Sequence, residues 1–380
     1  MIRTALVLTV VLSSVASGAR AQNSIFSIAG IGFQSRQLST RGRALGGGVG
    51  LFDRSSALNP AAVVAFGRLD VSVSSRTTMR SYDFAGTSVG GLRDTRFPDA
   101  VVGGPVGASD FQFAVGFSQF FERTFDIAAS DTITIRGEAV SVDDRVISDG
   151  GIADIRGVVA RRLGSRVFAG VSFHVISGST RATASRTFGS PNFVPFRQTR
   201  TTEYSAVGAS FGLIVVPTPT LQLAVALRVN SKLDLSQDSV TIGEVSMPVS
   251  MSAGLVVRPQ VAIGWSTSFS WRSWSSASSD IRALGLGETF DSWEIGSGIE
   301  IGGVGQGTSA IPLRFGVRYA RLPFSVSSDQ PTELNLSGGT ALRFASNRAA
   351  VAIALERALR KGAGARETAW IFSLGIEIRP

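Results

Sequence analysis

Apolar and polar side chains alternate one by one through most of the chain after Phe66. Leu221, Leu223, Val225, Leu227 and Val229 fall on one face of an extended segment, with Gln222, Ala224, Ala226, Arg228 and Asn230 on the other. Leu313, Phe315, Val317 and Tyr319 are set in the same way against Arg314, Gly316 and Arg318. Val351, Ile353 and Leu355 oppose Ala352, Ala354 and Glu356, and Trp370, Phe372, Leu374, Ile376 and Ile378 close the chain on the same rhythm. A period of two with one apolar face predicts half-buried β-strands. Strands are expected to begin near residues 68, 97, 110, 150, 166, 202, 220, 238, 260, 289, 310, 332, 348 and 367. That is about 14, an even number as single-chain membrane barrels have.

The punctuation alternates too. Short turns are predicted at Gly107-Ala108-Ser109-Asp110, Leu163-Gly164-Ser165-Arg166, Pro217-Thr218-Pro219-Thr220, Arg258-Pro259-Gln260 and Ala345-Ser346-Asn347-Arg348. Longer polar connections are expected between them, at 129–149, 179–201, 274–288, 322–332 and 361–366. Outer-membrane barrels show this asymmetry, with the short turns facing the periplasm.

Hydropathy and charge sharpen the picture. No window after the N-terminus is apolar for 18 residues, so no transmembrane helix is predicted. Yet mean hydropathy is +0.23 and only 17% of residues are charged. An all-β transmembrane antiparallel barrel reconciles the two, because lipid-facing residues alternate with lumenal ones and never form one long run. A charge facing lipid at mid-membrane costs about 2–4 kcal/mol, so Arg228, Arg314, Arg318 and Glu356 are expected to point inward.

The N-terminal region breaks the pattern twice. Met1-Ile2-Arg3, the apolar run Ala5 to Val15 and Ala19-Arg20-Ala21 read as a cleaved signal peptide over 1–21, which implies export. Residues 22–66 carry Gly30, Gly32, Gly42, Gly46-Gly47-Gly48 and Gly50 before Leu58-Asn59-Pro60-Ala61. Glycine permits close backbone approach and unusual dihedrals, as a plug in a barrel lumen needs. The barrel proper is expected over 67–380.

The run Gly42-Arg43-Ala44-Leu45-Gly46-Gly47-Gly48-Val49-Gly50, with Asp53, Ser56-Ala57-Leu58 and Asn59-Pro60-Ala61, resembles the hatch of the FadL/TodX family of outer-membrane transporters for hydrophobic compounds. Met247-Pro248 through Gly254, Ile311-Pro312-Leu313-Arg314-Phe315-Gly316 and Leu336-Ser337-Gly338-Gly339 are similar in order. Related PorV-type barrels, which are secretion accessories, share the Asn-Pro-Ala feature. The resemblance implies a 14-stranded barrel plugged by a hatch, an outer-membrane location in a Gram-negative-type bacterium, and passive uptake of fatty acids or other hydrophobic small molecules. It implies that Asn59, Pro60, Ala61, Gly46, Gly47 and Gly48 form the hatch or gate. It also implies release through a break in the wall, for which Gly103-Gly104-Pro105 and Gly107 are candidates.

Candidate chemistry is sparse. With no Cys and one His, thiolate chemistry and imidazole metal sites are excluded, and neither metal nor cofactor is expected. Arg228, Arg314, Arg318 and Arg343 could hold a carboxylate in the lumen, or could pair with Glu294, Glu300, Glu356 and Glu377 as a structural ladder. Arg181, Arg186, Arg197 and Arg200 could meet lipopolysaccharide phosphates in a loop without acids. His174 points inward without a recognisable Ser partner, so no enzyme is predicted. Export excludes nucleic acid as a partner of the net +9 charge. Three readings follow: a channel for hydrophobic molecules with an apolar lumenal pocket, a barrel that binds a protein partner at its rim, and a diffusion porin, which a plug disfavours.

Overall fold

The computed structural model describes residues 24–84, 87–238, 240–260, 262–302, 311–346 and 348–380. The expected signal peptide, 1–21, lies outside them. Fourteen antiparallel strands close into a barrel. They are β1 (Asp70–Phe84), β2 (Thr87–Pro105), β3 (Phe111–Glu122), β4 (Glu138–Arg162), β5 (Val167–Phe188), β6 (Phe196–Thr218) and β7 (Leu221–Asn230). The second half comprises β8 (Ser250–Gln260), β9 (Ile263–Arg272), β10 (Ser292–Ile301), β11 (Leu313–Arg321), β12 (Thr332–Phe344), β13 (Ala349–Gly362) and β14 (Ala365–Ile378). The ring closes where β1 pairs with β14, from Val71↔Ile378 to Phe84↔Ala365.

Alternation places the faces as the sequence predicts. On β7, Val225 is 51% exposed while its neighbour Ala224 is buried. Phe315 and Phe372 face outward, whereas Arg314, Arg318, Glu356 and Ser373 are buried inside. Trp293 and Tyr319, 5.6 Å apart, lie near the start of β10 and the end of β11. Aromatic rings suit that interfacial depth.

Several expected loops are strands instead. Residues 129–149 belong to a hairpin of Phe125–Ile135 with β4, tied through Ile135↔Glu138. Most of 179–201 continues β5 and β6, paired from Arg186↔Phe196 downward. This extension is largely polar and lacks the apolar face that marks the barrel. The segment expected to start a strand at 238 forms Val240–Val245, which pairs with Leu233–Gln237 on the flank of β6; the barrel strand begins only at Ser250. The expected connection 361–366 is a tight hairpin between Gly362 and Ala365, with Ala363 and Gly364 both at positive φ.

Residues 24–66 run through the barrel interior. They include a two-residue strand Phe33–Gln34, helix α1 (Thr40–Ala44) and short 3₁₀ turns at Ile25–Ser27, Gly50–Phe52 and Pro60–Ala65. Ser39 caps α1 through Gly42 N–H, and Asn59 caps the last 3₁₀ turn through Ala61 N–H. Capping matters here because helices this short gain little from propagation. At the end of the barrel opposite the chain termini of the wall, a 3₁₀ turn Trp274–Ala277 and helix α2 (Ser278–Ala283) fold inward. Trp274, Ile281, Phe121, Phe324, Ile31 and Leu233 form an apolar core there.

Candidate functional site

The glycine triplet lies against bare wall backbone. A Cβ on Gly46 would sit 2.6 Å from the Val317 carbonyl oxygen, and one on Gly48 would sit 2.5 Å from that of Ser266. Gly46 and Gly47 also have positive φ, so the segment needs glycine for both reasons. Gly46 N–H donates to Ser337 Oγ at 3.1 Å, and Ser268 Oγ donates to the Gly47 carbonyl at 3.1 Å. Asn59-Pro60-Ala61 docks elsewhere on the wall. Asn59 Nδ2 donates to the Leu51 carbonyl at 3.0 Å, and the group faces Gly170 of β5 and Gly212 of β6. The six predicted hatch residues therefore make two separate wall contacts, β9–β12 and β5–β6.

Ion pairs join the lumenal segment to the wall. Glu356 accepts from Arg36 at 2.6 Å and Arg43 at 3.2 Å, and Glu300 accepts from Arg41 at 3.0 Å and Arg314 at 2.6 Å. Arg54 reaches Asp70 at 2.6 Å and Glu377 at 3.2 Å, where β1 and β14 meet. Three of the four arginines proposed to hold a ligand are taken by acids. Arg314 pairs with Glu300, Arg318 with Glu294 and Glu333, and Arg228 with Asp154 at 2.7 Å. Arg343 lines a polar recess with Arg41, Arg258 and Arg314 at the other end of the lumen. Arg228, Arg314 and Arg318 thus belong to a ladder of ion pairs. Arg186, expected in an acid-free loop, pairs with Asp144 on β4 at 2.6 Å.

His174 has the partners the sequence hid. Its Nδ1 lies 2.9 Å from Asp154 Oδ1, and its Nε2 lies 2.8 Å from Ser172 Oγ and 3.0 Å from Ser210 Oγ. Asp154 also accepts from Gln37 Nε2 at 2.8 Å. His174 and Asp154 are fully buried, and Gln37 belongs to the lumenal segment, so the cluster anchors that segment to β4–β6. Ser172 precedes His174 by two residues on the same face of β5, but only the strand register brings Asp154 and Ser210 to them, so spacing along the chain did not reveal the cluster.

The apolar lumenal pocket does not form among the described residues. The cavity between the lumenal segment and the wall is about 60 Å³ and is lined largely by arginine and glutamate. Apolar space opens instead at the wall. β2 pairs with β3 only from Asp99↔Ser118 to Pro105↔Gln112, while β2 as a whole stays on β1. Pro98 marks the break, since proline has no N–H to give to a ladder. The far end of β3 turns to the lumenal strand, pairing Phe33↔Glu122 and Gln34↔Phe121. A bulge between Gln119 and Phe121 accompanies that change of partner. Gly103, Gly104 and Pro105, expected at the break, lie in the paired portion, and Gly107 sits in the ordinary turn after it. The resulting window holds a recess of about 360 Å³ with Phe97, Phe117 and Phe121 in its lining. Phe97 is 70% exposed on the outside, and Phe121 packs against Trp274 at 5.6 Å on the inside.

Comparison with known proteins adds a family. The model of the family described as BamG matches residues 1–270. The chain belongs to the BamG family. No curated protein matches this BamG-family sequence. Among solved structures, a Pseudomonas aeruginosa FadL homologue is similar at 13% identity and TM-score 0.60, covering 91% of this chain and 99% of that one. The Ralstonia pickettii toluene transporter TbuX matches at 13% identity and TM-score 0.60, over 90% and 98% of the two chains. The Pseudomonas putida toluene transporter TodX matches at 13% identity and TM-score 0.58, over 91% and 98%. At these identities the likeness establishes a shared fold, a 14-stranded antiparallel barrel.

Proposed function

We propose that this BamG-family barrel sits in the outer membrane and passes small hydrophobic molecules sideways into the bilayer, through the window between β2 and β3. The observation that carries this reading is the recess at that window, with three phenylalanines in its lining. The core at the closed end of the barrel includes Phe121, and Phe121 lines the recess that reaches Phe97 on the lipid face. Each CH₂ kept out of water is worth about 0.8 kcal/mol, so an apolar molecule following these rings avoids both the polar lumen and the aqueous periplasm. TbuX and TodX, which share the fold, are toluene transporters, and such cargo fits the window. A long-chain fatty acid fits less well, because the lumen offers charged groups where an acyl chain would lie. In this reading residues 24–66 are the hatch, Asn59-Pro60-Ala61 and Gly46-Gly47-Gly48 are its two fixed contacts, and Phe33–Gln34 is its edge at the window. The protein works by binding and release, without chemistry of its own.

The test is photolabelling of the purified barrel with a diazirine derivative of a small aromatic hydrocarbon, followed by peptide mapping. Labels on Phe97, Phe117 and Phe121, competed by the parent hydrocarbon, support the reading. Labelling spread evenly over the lipid face, without competition, overturns it.

A second reading has its own support. β4, β5 and β6 are 25, 22 and 23 residues long, whereas a tilted strand crosses a membrane in about 9–11. The excess projects as a sheet whose edges, Phe125–Ile135 and Val240–Val245, each pair on one side only among the described residues. Such edges can accept a strand from a protein partner, and capture of one through this sheet would favour a scaffold role.

A further inference from the structure

One part of the outer wall carries charge that the chain itself does not balance. On β13 the inward Arg360 is neutralised by Glu333 and Glu367. Arg357 and Lys361 alternate with it onto the outward face, and neither makes an ion pair among the described residues. Lys361 stands directly across the ladder from Arg366 of β14, which is exposed and equally without an ion pair among the described residues. Asp83 of β1, the acid in register with Arg366, accepts from Ser88 instead. Like charges directly opposite one another on a sheet are unfavourable, so Lys361 and Arg366 gain from a counter-charge supplied from outside the chain.

The patch lies where the apolar wall ends. Toward mid-membrane, the outward positions of β12, β13 and β14 are Leu336, Leu355 and Phe372, all exposed. Arg357 sits at the boundary with its guanidinium over the Trp370 ring, 4.6 Å from the centroid. Tryptophan on the lipid face marks the interfacial depth, and stacking on it fixes the guanidinium plane while leaving N–H donors open. The Gly362–Ala365 hairpin is at the opposite end of the wall from the turns at 107–110, 163–166 and 345–348, so the patch faces the outer leaflet. We propose that Arg357, Lys361 and Arg366 bind a phosphorylated saccharolipid of that leaflet, with its phosphates on the cations and its acyl chains along Leu336, Leu355 and Phe372. A phosphate monoester carries about −1.5 to −2 charge, so two of them match three cations. A glycerophospholipid phosphodiester brings only a single charge. The inference rests on the outer-membrane placement proposed above and is independent of what passes the window.

The experiment is native mass spectrometry of the detergent-purified full-length barrel, titrated with bisphosphorylated lipid A, with its dephosphorylated form and with phosphatidylglycerol. The expected result is one retained lipid A, the other two lipids being held about tenfold less well or worse. Arg357→Gln and the double variant Lys361→Gln/Arg366→Gln should each lose about tenfold in lipid A affinity. Arg161→Gln, which removes an exposed arginine at the other end of the wall, should match the parent. Heat-modifiable gel mobility checks that each barrel is folded, and all four substituted side chains lie on the surface. Equal retention of the dephosphorylated lipid would leave the acyl chains as the whole attraction, and equal retention of phosphatidylglycerol would make the patch a general anionic surface. Displacement by inorganic phosphate alone would assign it to a soluble anion. Each of these results, or unchanged binding by the Arg357 and Lys361/Arg366 variants, would overturn the inference. Envelope fractionation separates the two possible failures: a barrel absent from the outer membrane removes the placement, whereas an outer-membrane barrel without lipid A preference removes only this site.

Discussion

At the scale of single residues, the lumen is governed by a few glycines and a few carboxylates. Gly212 lies so close to Asn59 that an added Cβ would fall 1.8 Å from its Oδ1. Gly212→Ala should therefore push Asn59-Pro60 off β6 and cost about 1–3 kcal/mol, as overpacking does; urea unfolding followed by gel mobility would measure it. Glu356→Gln removes the acid shared by Arg36 and Arg43. Stripping one partner from a buried ion pair costs about 3–5 kcal/mol, so limited proteolysis should cut within residues 24–66 in this variant and not in the parent. Parity alone put Arg228, Arg314, Arg318 and Glu356 inside, because charge on the lipid face is so unfavourable. It also suggested Glu300 and Glu294 as partners. It could not reveal Asp154 beside His174 and Arg228, since that depends on which strands become neighbours.

At the scale of elements, the readable strands were those that touch lipid. β7, β11, β13 and β14 carry an unbroken apolar face, and their starts fall within a few residues of expectation. The projecting sheet lies outside the barrel wall and is largely polar, so sequences such as Ser130-Asp131-Thr132, in the strand Phe125–Ile135, look like loop. Replacing Asp126–Ile147 by a short turn should leave the heat-modifiable barrel and its membrane insertion intact, because those rungs pair only with one another and with the outer part of β5. The window coincides with Pro98, where β2 also shifts register against β1; the sequence pointed instead to Gly103-Gly104-Pro105 and Gly107, which lie in paired strand and in the turn after it. Over the barrel end, Ser246 N–H donates to Asp280 Oδ2 at 2.8 Å and holds that carboxyl below its usual range. A depressed carboxyl adds stability above the unfolded pKa, near 3.9, which is lost as pH falls through the folded value. Hydrogen exchange in α2 should therefore rise on acidification below about pH 4, and Asp280→Asn should remove that pH dependence.

At the scale of the whole molecule, the barrel separates two environments that simpler channels combine. Its lumen is polar, crowded and bolted to the wall through Glu300, Glu356 and Asp154, while Phe97, Phe117 and Phe121 line a recess at the window. Planar-bilayer recordings should accordingly show no steady large conductance, since the described lumen is filled by residues 24–66. The central claim is that apolar cargo leaves through the window between β2 and β3. Ala153 lines that recess from β4, and Ala153→Trp would fill it without touching the lumen. The most direct measurement is uptake of a small aromatic hydrocarbon by proteoliposomes bearing the parent or Ala153→Trp barrel, with Leu336→Trp on the lipid face of β12 as the control. The account predicts that uptake collapses in Ala153→Trp while the control matches the parent; equal uptake by all three would contradict it.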